Sequence, residues 1–172
     1  METNYLVVDM GTGNSRVGLV SADGTIWGIR NYENQYYKDK QYEDAQYFLP
    51  EEWENNLLGG CKDLLKEFPE HPVRAITSSG ARESIVLYNK VGKAYLGLPN
   101  IDNRGRAWMA EIEDRTFIYE KTGRWVTEDF PAAKLMGYRK KYPEEFAGIA
   151  KITSLSEWIG EMFTGKLVIE PS

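Results

Sequence analysis

The stretch Val-Val-Asp-Met-Gly-Thr-Gly-Asn-Ser-Arg-Val-Gly-Leu-Val, residues 7–20, constrains the chain more than any other. It sets a carboxylate and a glycine-rich turn between two runs of valine and leucine. A dinucleotide fingerprint needs G-x-G-x-x-G on the turn from a strand into a helix, whose N-terminus receives the pyrophosphate. Here Gly11-Thr12-Gly13-Asn14-Ser15 leads to Arg16 instead of a third glycine, and the following residues read as a strand. Asp23-Gly24 then supplies the turn of another hairpin. A nicotinamide site is disfavoured on that ground, and a P-loop fails because no G-x-x-x-x-G-K-[ST] occurs. Two readings stay open. One is a plain turn whose Asp, Asn and Gly serve backbone conformation. The other is a phosphate-binding hairpin, with turn N–H groups and the Thr12, Asn14 and Ser15 side chains as donors. In that second reading Asp9 holds a magnesium ion, directly or through its waters.

The pattern around this turn predicts strands at 4–9, 15–21 and about 26–32, an antiparallel meander. Residues 33–49 are polar and tyrosine-rich without clean periodicity, which predicts an exposed excursion. Pro50 stands where a helix begins, and Trp53, Leu57, Cys61, Leu64, Leu65 and Phe68 follow at helical spacing. Residues 72–80 read as a buried strand reached through that helix, a β-α-β crossover. Residues 84–89 and 93–98 suggest a second hairpin. Beyond Asn100 the pattern turns helical, with helices expected at 104–114 (Trp108, Ile112) and 131–141, the latter with Leu135 and Met136 on its apolar side. Ser154-x-x-Glu157 is a capping-box pattern ahead of Leu155, Trp158, Ile159 and Met162, and Gly165 is a helix stop. Residues 166–172 read as a strand or extended segment.

The 172 residues are the size of one ordinary domain, and 42% hydrophobic with 27% charged is globular composition. A net charge of −5 gives no basic footprint for a nucleic acid or an anionic membrane. The cluster Arg139-Lys140-Lys141 falls at a predicted helix end, where it offsets the helix dipole. One cysteine, Cys61, excludes an internal disulfide framework and a multi-cysteine zinc site, and one histidine, His71, excludes a histidine-rich metal site. Cys61 lies on the apolar side of its helix and is read as a small buried hydrophobe. No signal-peptide pattern and no apolar run near the roughly 20 residues of a membrane span occurs. A cytoplasmic setting is expected, with no membrane or nucleic-acid partner.

A second informative stretch runs from Ser78 to Gly105. Ser78, Ser79, Gly80, Arg82 and Glu83 follow the predicted strand, at the strand end where α/β proteins usually bind ligands. Adjacent Arg and Glu side chains suit a polyhydroxylated molecule, the one donating and the other accepting hydrogen bonds. An exposed ion pair beside a hairpin is the plainer alternative.

Asp-Met-Gly-Thr-Gly-Asn-Ser-Arg, residues 9–16, closely resembles the first phosphate motif of the FGGY carbohydrate kinases, Asp-x-Gly-Thr-x-x-x-Arg. The resemblance continues along essentially the whole chain. It implies an α/β, ribonuclease-H-like (actin-like ATPase) domain: a mixed sheet with an N-terminal antiparallel meander, a crossover helix and a helical C-terminal half. It implies ATP and Mg2+ as cofactors. Phosphate binding then falls to Gly11, Thr12, Gly13, Asn14, Ser15 and Arg16, and the metal to Asp9. Arg82 and Glu83 match an Arg-Glu pair that grips substrate hydroxyls in glycerol kinases. Asp102 falls on a substrate-binding aspartate of xylulokinases, within a segment similar to Asn-Ile-Asp-Asn-Arg-Gly. The wording of residues 79–89, 122–135 and 156–172 looks most like the autoinducer-2 kinase branch.

What the resemblance implies is phosphorylation of a sugar, polyol or sugar-like signal molecule, with a homodimer among the assemblies expected. The family's general-base aspartate is expected beyond Ser172, so no catalytic residue is assigned within the chain. Residues 1–172 then correspond to part of an FGGY N-terminal domain without the C-terminal nucleotide-binding domain, inactive alone. Glu170 stands where relatives usually carry Asp. The alternative is a non-catalytic module that reuses the fold to hold a sugar-like ligand or a protein partner.

Overall fold

The computed structural model describes residues 3–169. Its elements in chain order begin with β1 (Asn4–Met10), β2 (Asn14–Ser21), β3 (Ile26–Glu33), β4 (Tyr37–Lys38), β5 (Gln46–Tyr47), α1 (Pro50–Glu67) and β6 (Val73–Gly80). They continue with β7 (Ile85–Tyr88), β8 (Ala94–Leu98), a 3-10 turn (Arg106–Glu111), α2 (Arg115–Thr122), α3 (Pro131–Lys141), α4 (Pro143–Ala147), β9 (Lys151–Ser154) and α5 (Leu155–Thr164). The chain forms two units: Met1–Gln35 with Leu49–Ala81 and Leu155–Ser172, and Tyr36–Phe48 with Arg82–Ser154.

The first unit is built on a mixed four-stranded sheet of order β3-β2-β1-β6. β1, β2 and β3 form the expected antiparallel meander, and β6 returns parallel to β1 after α1. Strict alternation along β1 sends Leu6, Val8 and Met10 into the core, where Val17 and Leu19 of β2 join them. Pro50 presets the first turn of α1, Glu51 and Glu52 suit its positive N-terminus, and Lys66 lies in its last turn. Trp53, Leu57, Cys61 and Leu64 form its buried stripe. Each such side chain contributes about 1.5–3 kcal/mol on burial. Gly28 in β3 lets this helix approach, since a Cβ there would lie 2.7 Å from the Phe68 ring and 2.8 Å from Leu64. Burial pushes the Cys61 thiol up to about 11, as befits an apolar role.

β6 corrects one expectation. It is an exposed strand at the sheet edge rather than a buried one, with only its two terminal residues partly covered. Val73, Ala75 and Ile76 gave it a core-like composition, but among the described residues it has a neighbour strand on one side only. α5 packs at its Gly80 end, where Leu155 lies close, and buries Leu155, Trp158 and Ile159.

The second unit holds a three-stranded antiparallel sheet of order β8-β7-β9 and a two-stranded ribbon of β4 and β5. The β7–β8 hairpin is as expected. Its core gathers Ile85, Leu87, Leu98 and Tyr138, with Leu135, Phe146 and Ile149 packed around them. The supposed exposed excursion is also corrected. Tyr42, Ala45 and Phe48 are buried, and the Phe48 backbone exchanges two 3.0 Å hydrogen bonds with Gly97. Local periodicity could not show this, because the partners of the Tyr42 hydroxyl lie 66 and 95 residues away.

The helical region past Asn100 is broken into short pieces and interrupted by β9. The helix expected at 104–114 is a 3-10 turn, and α2 follows from an Asp114 N-cap whose carboxylate accepts from Phe117 N at 2.9 Å. In α3 the fully buried positions are Ala133, Lys134, Gly137 and Tyr138, while Leu135 and Met136 are half-buried. Gly137 is required there, since a Cβ would collide with the Arg104 carbonyl. Arg139, Lys140 and Lys141 do occupy its last turn. Ser154 ends β9 and α5 starts at Leu155. Residues 166–169 are not in a strand, and the readings at 170–172, Glu170 included, lie outside the described residues. Among the described residues no helix is long and apolar enough to cross a membrane.

Candidate functional site

In the first unit, β1 and β2 run directly into the glycine-rich turn. The register places Asp9 between Arg16 of β2 and Ser79 of β6. Asp9 is about half-exposed, and its Oδ2 accepts from Arg16 Nη1 at 3.1 Å. The turn closes with Gly11 N donating to Asn14 O at 3.0 Å, and Ala81 N donates to Met10 O at 2.8 Å. These two bonds bring the turn and the end of β6 to one sheet margin.

Asn34, which no sequence pattern singled out, organises the turn. Its Nδ2 donates to Gly11 O at 2.8 Å and to Thr12 O at 3.3 Å, and its backbone N donates to Gly13 O at 3.0 Å. A trans peptide points its N–H opposite to its C=O. Drawing these carbonyls toward Asn34 therefore aims the Thr12, Gly13 and Asn14 N–H groups the other way, the arrangement of an anion-binding backbone concavity. Ser15 belongs to the scaffold: its buried hydroxyl donates to Asn34 Oδ1 at 2.6 Å. Asn14 Nδ2 turns back to Tyr32 O at 3.4 Å. Gly13 is the exposed tip, and Thr12 and Arg16 are also at the surface or partly so.

For a hard cation the donor set is small. Asp9 is one carboxylate already shared with Arg16, and no group of three or more metal-ligating side chains occurs among the described residues. One carboxylate plus phosphate oxygens and waters is an ordinary set for magnesium, which keeps several waters when bound. Asp9 fits that ion and would have to loosen from Arg16 to take it.

The second unit carries Arg82, Glu83 and Asp102. Arg82 is exposed. Glu83 adopts a left-handed backbone with φ of 66°, which a residue with a side chain rarely takes and which marks strain. Its carboxylate pairs with Arg124, not with the adjacent Arg82. Arg124 also faces Asp129 at 3.7 Å and lies over the Phe130 ring. Asp102 is 0% exposed: Oδ2 accepts from Arg104 Nε at 2.6 Å and Oδ1 from Gln46 N at 3.2 Å. Burial pushes its carboxyl up from the usual aspartate range, against the pull of Arg104 and Lys134. Arg104, 1% exposed, reaches Asp39 at 3.3 Å as well, and Asp39 in turn accepts from the Tyr142 hydroxyl at 2.7 Å.

Lys134 was also missed. A lysine on a helix reads as a solvated residue, yet this one is 0% exposed. Its Nζ donates to Glu83 O and to Pro99 O, both at 2.6 Å. The residues singled out from sequence therefore fall into two sets, each with its own organiser: Asp9 and the turn around Asn34, and Glu83 and Asp102 around Lys134.

The fold is that of the actin-like ATPase class of carbohydrate kinases. Gluconate kinase from Lactobacillus acidophilus matches with a TM-score of 0.85 at 19% identity, over 97% of this chain and 34% of that one. Xylulose kinase from the same organism matches with a TM-score of 0.85 at 20% identity, over 96% of this chain and 34% of that one. In sequence, the Bacillus subtilis (strain 168) protein called sugar kinase YoaC is 38% identical over 171 residues, 99% of this chain and 35% of that protein. Autoinducer-2 kinase of Photorhabdus laumondii is 25% identical over 178 residues, 97% of this chain and 33% of that protein. The FGGY family of carbohydrate kinases, N-terminal domain, matches residues 4–172, and the chain belongs to that family. It spans about a third of the length of these curated relatives.

Proposed function

We propose that the chain is the N-terminal part of an ATP-dependent kinase that phosphorylates a hydroxyl of a sugar, a polyol or a sugar-like signal molecule. The observation that carries this reading is the turn at 11–14, where Asn34 draws the Gly11, Thr12 and Gly13 carbonyls to one side and so directs the Thr12, Gly13 and Asn14 N–H groups to the other. Backbone N–H groups so aimed stabilise phosphate oxygens without a competing positive side chain. ATP would bring the transferable phosphoryl group, and magnesium would neutralise charge on it. Of the chain's own residues, the turn from Gly11 to Asn14 and Arg16 would hold phosphate, with Ser15 acting through Asn34. Asp9 would hold the magnesium ion. Arg82, Glu83 and Asp102 would orient the sugar hydroxyls, Asp102 only after its bond to Arg104 rearranges.

No residue of the chain is assigned as general base, so the 172 residues alone are expected to bind ligands without turning them over. A substrate near those of autoinducer-2 kinases, a cytoplasmic setting and a homodimer belong to the same proposal.

The test is calorimetric titration of the chain with ATP, with and without magnesium, in the wild type and in Asp9→Ala. Magnesium-dependent binding weakened by Asp9→Ala is the expected result. Binding of D-xylulose, D-gluconate or glycerol by a chain that binds no ATP, with or without magnesium, overturns it in favour of a non-catalytic binding module. Turnover by the chain at about 1–100 per second, an ordinary kinase rate, would overturn the assignment of no catalytic residue.

A further inference from the structure

We propose that Lys134 is a positioning residue for the sugar site, its buried ammonium fixing the two backbone segments that carry Glu83 and Asp102. This rests on the reading of Glu83 and Asp102 as sugar-binding groups. Lys134 stands on α3, far from both in sequence, and donates at 2.6 Å to Glu83 O and Pro99 O. Those two carbonyls flank the β7–β8 hairpin, so one side chain clasps its entry and its exit. Two further bonds complete the clasp: Asn100 N donates to Ser84 Oγ at 3.0 Å, and Asp102 N donates to Pro99 O at 3.0 Å.

Burying an ammonium is costly unless strong acceptors and a countercharge stand nearby. Here the carbonyls are the acceptors, and Asp102 and Asp129 supply negative charge while Arg104 opposes it. The site retains this costly group where a strained backbone needs holding. Glu83 has φ of 66°, and its carbonyl is one of the two that Lys134 grips. Removing the grip would let residues 82–84 relax toward ordinary φ and swing the Glu83 carboxylate away from Arg124.

Burial, the largest influence, brings the Lys134 ammonium down to about 8, outweighing the pull of Asp102 and Asp129. Two opposite consequences follow between pH 7 and 9. As Lys134 loses its proton, its bonds to the carbonyls lose their charge and Asp102 loses a countercharge, so sugar affinity falls. Stability rises over the same range, because the unfolded chain still binds the lysine proton when the folded chain has released it. A lysine with a merely structural role would move only the second quantity.

The experiment titrates the wild-type chain and Lys134→Met with D-xylulose, D-gluconate and glycerol at a series of pH values from pH 7 to pH 9, and follows amide hydrogen exchange at Ser84, Asn100 and Asp102. The expected result is a several-fold loss of wild-type affinity with a midpoint near pH 8. Lys134→Met should bind about tenfold more weakly at pH 7, the order expected for losing a charge-assisted hydrogen bond, with no pH dependence and faster exchange at the three amides. A folded Lys134→Met that keeps wild-type affinity overturns the proposal, and so does unchanged exchange. Absence of sugar binding by the wild type, with exchange accelerated in the variant, overturns the sugar-site reading and Lys134's role in binding, while the clasp itself stands. The wild-type pH titration needs no variant, so a Lys134→Met chain that fails to fold leaves it decisive.

Discussion

The turn at 11–14 and the polar interior around Lys134 solve the same problem, holding strained or irregular backbone in place, by opposite means. At the turn the organiser is a neutral amide, Asn34, and the charged pair Asp9–Arg16 stays at the surface. In the second unit the organisers are charges, and Asp102, Arg104 and Lys134 are all essentially excluded from solvent. Neutral hydrogen bonds cost little to bury when fully paired, so the turn is cheap and open to a ligand. Buried charges are costly singly and tolerable only as a set, so the second site stands or falls as a unit.

That contrast is most sharply tested at Arg104. Arg104→Ala leaves the Asp39 carboxylate without its cationic partner and Asp102 with Lys134 as its remaining countercharge, and a loss of about 3–5 kcal/mol is expected in urea unfolding. Replacing all four groups with apolar residues (Asp39→Leu, Asp102→Leu, Arg104→Met, Lys134→Met) should recover most of that loss, because no buried charge is then left without its partner. If it does not, shape rather than charge pairing holds the unit together. Asn34→Ala comes next. It leaves the buried Ser15 hydroxyl and the Gly11 carbonyl without their partner, for about 1–3 kcal/mol, and should weaken magnesium-dependent ATP binding several-fold in calorimetry. A variant that loses stability but keeps nucleotide affinity would reduce Asn34 to scaffold. Gly137→Ala gains helix propensity but drives a methyl into the Arg104 carbonyl, for a net cost of about 1–2 kcal/mol by thermal unfolding. Smallest is Asp9→Ala, where a half-exposed pair should change stability by less than about 0.5 kcal/mol. Its effect belongs to the ligand: nucleotide binding should lose its magnesium dependence while the unfolding curve stays put.

The parts legible in the sequence share a physical character. The meander, α1 and the β7–β8 hairpin announce themselves because periodicity and turn chemistry act over a few residues. Asp9, Gly11 and Thr12 were readable because a turn between two strands is itself local. Asn34 was not, although it lies only 19 residues from Ser15, because nothing in Tyr-Glu-Asn-Gln distinguishes a structural amide from a solvated one. Tyr42 was misjudged, and Lys134 passed over, for the same reason on a larger scale. A polar residue is read as exposed unless its partners are known, and these partners lie between 35 and 95 residues away.

By itself the sequence determined the meander, α1, the β7–β8 hairpin and the family, since these are written in short-range pattern and in turn residues. Only the tertiary structure decided that β6 is an exposed edge, that Ser15 faces Asn34, and that Glu83 pairs with Arg124 instead of Arg82. It also decided that a lysine in the middle of α3 is buried on two carbonyls. The reason is electrostatic. The cost of a buried polar group depends on every acceptor and charge within a few ångströms, and that neighbourhood exists only once distant segments have met.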